Sequence, residues 1–122
     1  MRALVVADSP TMRRIVSNTL GKMGHRDIVE AANGHDGLGR VTEGSVDLVI
    51  TDWSVTDMGG VEFVRSLRAM ERGSRLPVLM ITSNVTQDDI LAALRAGVDE
   101  YVVKPFTPQT LTDKIAAVLA QD

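Results

Sequence analysis

Apolar residues along this chain follow two rhythms. Short apolar runs fall at Ala3–Ala7, Asp27–Ala31, Val46–Thr51, Pro77–Thr82 and Glu100–Val103, with the length and texture of strands. Between them, apolar positions recur every three or four residues near 10–23, 34–43, 59–72, 87–96 and 108–120, the spacing of helices with one buried face. In the first of these Met12, Ile15, Val16, Leu20 and Met23 share a face, and in the last Leu111, Ile115, Val118 and Leu119 do. Strict strand-then-helix alternation with short connections predicts a parallel sheet covered by helices on both sides.

The strands also rank themselves. LVV, DLVI and VLMI are continuous apolar runs, as strands buried on both faces require. RDIVEA is laced with charge and EYVVK is charged at both ends, so the second and fifth strands belong at the edges. The order 2-1-3-4-5 satisfies this, giving a flavodoxin-like (βα)5 doubly wound fold, and 122 residues suffice for one such domain over 1–122. Gly34, Gly37 and Gly39 lie within the second helix, each costing about 0.5–1 kcal/mol against alanine in a helix interior. That helix is predicted to be the weakest.

Sites on open parallel sheets form beyond the carboxyl ends of the strands, where strand order reverses. Here that edge gathers Asp8 and Asp52 from the first and third strands, Thr82 and Ser83 from the fourth, and Lys104 from the fifth. Each has a plain structural explanation: Asp8 or Ser9 can cap the first helix, Asp52 can shape a turn, and Lys104 can be an edge-strand lysine. Their convergence argues for more. Two carboxylates about 5 Å apart repel by roughly 3 kcal/mol at an effective dielectric near 20, so such a pair calls for a cation. Oxygen donors alone suit Mg²⁺, and a carboxylate pair with a lysine and a hydroxyl can stabilise a phosphoryl group.

Composition narrows the classes. A net charge of −3 with no basic block and few aromatics argues against nucleic-acid binding. There is no cysteine for disulfides or thiolate metal sites, no secretory apolar segment and no run long enough to span a membrane, so a cytoplasmic protein without membrane insertion is expected. Gly37-Leu38-Gly39 follows no strand and is no dinucleotide loop. Pro10 stands where a dehalogenase-type hydrolase needs its second acid, and the first turn lacks the hydroxyl-rich phosphate loop of a flavodoxin.

The segments "LVVADSPTMRRIV", "VDLVITDW", "GGVEFVRSLR", "VLMITSN" and "AGVDEYVVKPFTPQTL", in this order and spacing, resemble response-regulator receiver domains over essentially the whole chain. The stand-alone chemotaxis members are the nearest, and the chain's end just after the fifth helix agrees with them. The resemblance implies a two-component response regulator, not a dedicated enzyme, that takes part in its own phosphoryl transfer and slow dephosphorylation. It implies Asp52 as phosphoacceptor, Asp8, Asp52 and the Ser54 carbonyl as Mg²⁺ ligands, Lys104 as the phosphoryl-binding lysine and Thr82 with Tyr101 as the switch. The Lys104–Pro105 bond is expected to be cis. The implied partners are a histidine kinase and a downstream target, with a flagellar motor switch protein as candidate, bound by a monomer at the face of the fourth helix, fifth strand and fifth helix.

One position departs from the family. The first strand ordinarily ends in two adjacent acids, and Ala7 replaces the first, which orients metal-bound water. Loss of such an outer-shell partner typically costs 10–100-fold in metal affinity or activity, so a weakened Mg²⁺ site is expected. Val55-Thr56 also stands where the family favours Met-Pro. These departures keep a second reading open: a receiver-fold interaction module with weak or no dependence on metal and phosphate.

Overall fold

The computed structural model describes residues 1–121. Strands β1 (Arg2–Val6), β2 (Asp27–Ala31), β3 (Leu48–Asp52), β4 (Val78–Thr82) and β5 (Glu100–Val103) alternate with helices α1 (Pro10–Lys22), α2 (Gly34–Glu43), α3 (Gly60–Ala69), α4 (Gln87–Ala96) and α5 (Pro108–Leu119). All pairings are parallel and the order is β2-β1-β3-β4-β5, as the strand polarities predict. Every residue of β3 and β4 is buried, whereas β2 and β5 keep exposed positions at the edges.

Side chains alternate along each strand, so the sheet feeds two cores. Leu4, Val6, Val49 and Met80 pack with Val41 of α2, Phe63 and Leu67 of α3, and Ala93 of α4. On the other face Ala3, Val5, Ile50 and Ile81 pack with Leu20 of α1 and Leu111 and Ile115 of α5. The β1–β3 register pairs Val5 with Ile50 and Val6 with Thr51. Carried one residue further, that register would set Ala7 opposite Asp52, on the face of α1 and α5. No described helix is long and apolar enough to cross a membrane.

Several boundaries differ from the sequence pattern, most by one residue. The third helix, expected over 59–72, stops at Ala69; Met70 takes an extended ψ of 140°, and Glu71–Gly73 form a single 3-10 turn. The backbone of Gly73 lies against the Leu67 carbonyl, where a Cβ would overlap it. The Arg68 guanidinium donates to the carbonyls of Gly73 and Leu76 at 2.9 and 2.7 Å, tying the segment after the helix back onto its last turn. The third strand begins at Leu48 rather than Val46 and includes Asp52, and the first spans Arg2–Val6, although the Ala7 amide still donates to the Ala31 carbonyl at 3.1 Å.

Candidate functional site

The site grows from the carboxyl ends of β1, β3, β4 and β5. Ser9 is the N-cap of α1: its Oγ accepts the Met12 amide at 3.2 Å, and Pro10 occupies the first turn. Capping is therefore not the task of Asp8, whose side chain is left exposed at the sheet edge. The chain around it is pinned by Arg13 of α1, whose Nη1 donates to the carbonyls of Ala7 at 2.6 Å and Asp8 at 3.3 Å. Glu30 of β2 receives the Nε of the same guanidinium at 3.2 Å.

Asp52 closes β3 with only 3 % of its surface exposed. A carboxylate that buried needs compensation. Lys104 supplies it, reaching from the residue after β5 to place Nζ at 2.9 Å from both carboxylate oxygens, while the Ser54 amide donates to Oδ1 at 3.2 Å. The first residue of α3 sets how close this loop can run: at Gly60 a Cβ would strike the Asp52 carbonyl, so only glycine lets α3 begin there. The Lys104–Pro105 peptide is cis.

Thr82 ends β4 and is buried, but its hydroxyl turns into its own loop, where Oγ1 accepts the Asn84 amide at 2.8 Å. Tyr101 is half-buried on β5, with the Lys114 ammonium 5.7 Å from its ring centroid. The strand ends thus bring Asp8, Asp52, Ser54 and Lys104 to one edge with Thr82 on the neighbouring strand, and Tyr101 lies on β5 two residues before Val103, the partner of Thr82. Trp53, next to Asp52, is half-buried against the core beneath α2, α3 and α4.

Three functional contacts escaped the sequence. One is the Arg13 clamp on Ala7 and Asp8. The second is the Thr56 hydroxyl, which donates to Asp8 Oδ2 at 3.2 Å. The third is Asp57, whose carboxylate accepts the Gly34 and His35 amides at 2.8 and 2.9 Å at the start of α2. These amides, His35's foremost, hold the exposed Asp57 carboxyl below the usual carboxylate range. Only Thr56 left a trace in the sequence, as a hydroxyl in place of the family's proline.

Among the described residues no three His, Cys, Asp or Glu side chains converge on one point. The side-chain oxygen donors at this edge are the carboxylates of Asp8 and Asp52 and the hydroxyls of Thr56 and Thr82. That set fits Mg²⁺, which keeps several waters and binds through one or two carboxylates, and it does not fit a metal needing nitrogen or sulfur.

Residues 3–116 match the response regulator receiver domain. The chain is 43 % identical over 120 residues to a chemotaxis protein CheY homolog of Campylobacter jejuni, covering 98 % of this chain and 92 % of that protein. It is 42 % identical over 120 residues to the chemotaxis protein CheY1 of Helicobacter pylori, covering 98 % and 97 %. The structure of the chemotaxis response regulator CheY4 of Vibrio cholerae superposes with a TM-score of 0.90 at 31 % identity, over 96 % of this chain and 97 % of that one. Receiver domains of this type bind Mg²⁺ in the acidic pocket at this sheet edge, receive phosphoryl groups from histidine kinases and act on downstream targets. By sequence and by fold, the chain belongs to the response regulator receiver family.

Proposed function

We propose that this chain is a single receiver domain acting as a chemotaxis response regulator, with Asp52 accepting the phosphoryl group. The observation that carries the reading is the Lys104 ammonium lying 2.9 Å from both oxygens of a carboxylate only 3 % exposed. In the reaction an Asp52 oxygen attacks phosphorus in line, the P–N bond of a kinase phosphohistidine breaks, and the imidazole nitrogen keeps the electron pair. Lys104 follows the charge from carboxylate to phosphoryl oxygen. Asp8, Asp52 and the Ser54 carbonyl would hold Mg²⁺, which when bound neutralises charge on the phosphoryl oxygens. The protein is thereby a substrate and a partner in its own dephosphorylation, rather than a dedicated enzyme.

The output follows from the hydroxyl. Thr82 now spends its bonds on Asn84; a phosphoryl oxygen is a stronger acceptor and draws it away. The space it leaves admits Tyr101, which alters the α4–β5–α5 face. Leu91, Leu94 and Val103 stand exposed on that face, apolar contacts for a downstream protein such as a flagellar motor switch component. The apolar groove between α1 and the loop after β5, lined by Met12, Ile15, Phe106 and Pro108 beside Lys104, supports kinase docking next to the acceptor. A monomer in the cytoplasm suffices for every step.

Treatment with a small phosphodonor and Mg²⁺ followed by mass spectrometry tests the assignment. The wild type should gain one phosphoryl group and Asp52→Asn none, because an amide is a poor nucleophile toward phosphorus. A phosphoryl group on the mutant moves the acceptor elsewhere. If the wild type gains none, the second reading prevails, a phosphate-independent interaction module, which Ala7 favours.

A further inference from the structure

Asp8 lacks the neighbouring acid, yet its carboxylate is held. The Thr56 hydroxyl reaches it at 3.2 Å from the loop between β3 and α3, 48 residues along the chain. That loop is fixed on both sides of Thr56. Val55 is buried in the core, with its carbonyl accepting the Gly59 amide at 2.9 Å. Asp57 is pinned to the start of α2, its carboxylate accepting hydrogen bonds from the Gly34 and His35 amides. A hydroxyl between two anchored neighbours gives up little further freedom when it bonds. Ala7 is buried and contributes only a methyl group, and its carbonyl is already taken by Arg13.

We propose that Thr56, set in place by Asp57, is a positioning residue for Asp8. It holds the carboxylate in the orientation that binds a divalent cation, doing from the β3–α3 loop part of what an acid at position 7 does elsewhere in the family. The inference rests on the reading of Asp8 as a Mg²⁺ ligand. Partners that orient a metal ligand are typically worth 10–100-fold in affinity, and one exposed hydroxyl belongs at or below the bottom of that range, about 3–10-fold.

Titration with MgCl₂ alone, followed by amide chemical shifts, tests this on the wild type, Thr56→Val, Thr56→Ser, Asp57→Ala, Ala7→Asp and the Ala7→Asp/Thr56→Val double variant. Denaturant melts without Mg²⁺ confirm that each is folded. Valine keeps the shape and loses the hydroxyl, so Thr56→Val should weaken Mg²⁺ by about 3–10-fold. Thr56→Ser should restore wild-type affinity, and Asp57→Ala should weaken it in the same direction. In the Ala7→Asp background the cost of Thr56→Val should shrink, because a carboxylate at 7 takes over the orienting role; the coupling is the signature. Wild-type affinity in Thr56→Val overturns the proposal and leaves Asp8 as a ligand. An equal loss in both backgrounds overturns it too, by making Thr56 a general support of the loop. No Mg²⁺ response in the wild type overturns the metal reading itself, and the proposal with it.

Discussion

Asp57 is exposed, yet its carboxyl titrates low because the backbone amides of His35 and Gly34 bond the charged form, with the His35 side chain adding to the effect. A helix N-terminus favours an anion for the same reason. A carboxyl whose pKa is depressed in the folded state adds stability above its unfolded value, about 3.9 for aspartate, and loses it as pH falls through the folded value. The wild type should therefore be more stable than Asp57→Asn at pH 6–7, with the difference closing from about pH 4 downward. Denaturant midpoints of both proteins across that range check this, and a difference that does not change with pH would show the charge is not engaged. The contact was invisible in the sequence because 22 and 23 residues separate Asp57 from its partners, and no local pattern announces such a pairing. Asp8, Asp52, Thr82 and Lys104 were legible for the opposite reason. Each ends a strand or follows one within two residues, and parallel topology alone sends all strand ends to one edge. The Thr82 hydroxyl's turn toward Asn84 and the Thr56 bond depend on loop conformations that periodicity does not encode.

At the scale of elements, hydrophobic period located all five strands and all five helices, and polarity ranked the strands correctly. Ends were less legible, because they are decided by tertiary contacts. The α3 helix stops where Arg68 and Gly73 bring other carbonyls into play, not where its apolar period fades. The glycines of α2 show the same divide. By composition Gly37 and Gly39 weaken the helix alike, but their surroundings differ. A Cβ at Gly39 meets nothing within 4 Å, whereas at Gly37 it would lie 2.9 Å from Cε1 of Phe63 and 3.0 Å from Cγ2 of Val6. Phe63 is fully buried and cannot retreat. Gly39→Ala should thus stabilise the protein by about 0.5–1 kcal/mol through helix propensity. Gly37→Ala should destabilise it by about 1–3 kcal/mol, because overpacking of a closed interface outweighs the same propensity gain. Chemical denaturation of the two variants separates them by sign. If both stabilise, α2 is not held against Phe63 as closely as described.

Across the whole molecule the site and the fold share one charge balance, and Ala7 is where it can be reset. The β1–β3 register carried one residue on sets Ala7 opposite Asp52. The position is 1 % exposed, with the Arg13 guanidinium 2.6 Å from its carbonyl oxygen. Ala7→Asp therefore adds a carboxylate beside Asp8 and Asp52 in a place water screens poorly. Without metal, like-charge repulsion should destabilise the fold by about 1–3 kcal/mol, toward the lower figure because Arg13 and Lys104 offset part of the new charge. With Mg²⁺ present the same carboxylate orients the ion's water, and affinity should rise by roughly 10–100-fold. Binding only the folded state, the ion then returns stability in proportion to the logarithm of its concentration over Kd. The variant should accordingly melt below the wild type in chelator and recover most or all of the difference at high Mg²⁺, while phosphorylation at limiting Mg²⁺ quickens. A metal titration with paired denaturant melts measures both arms. Opposite movement of affinity and apo stability is the expected result, since one charge causes both. Unchanged values in both experiments would mean that residue 7 does not border the pocket and that the register does not continue past Val6.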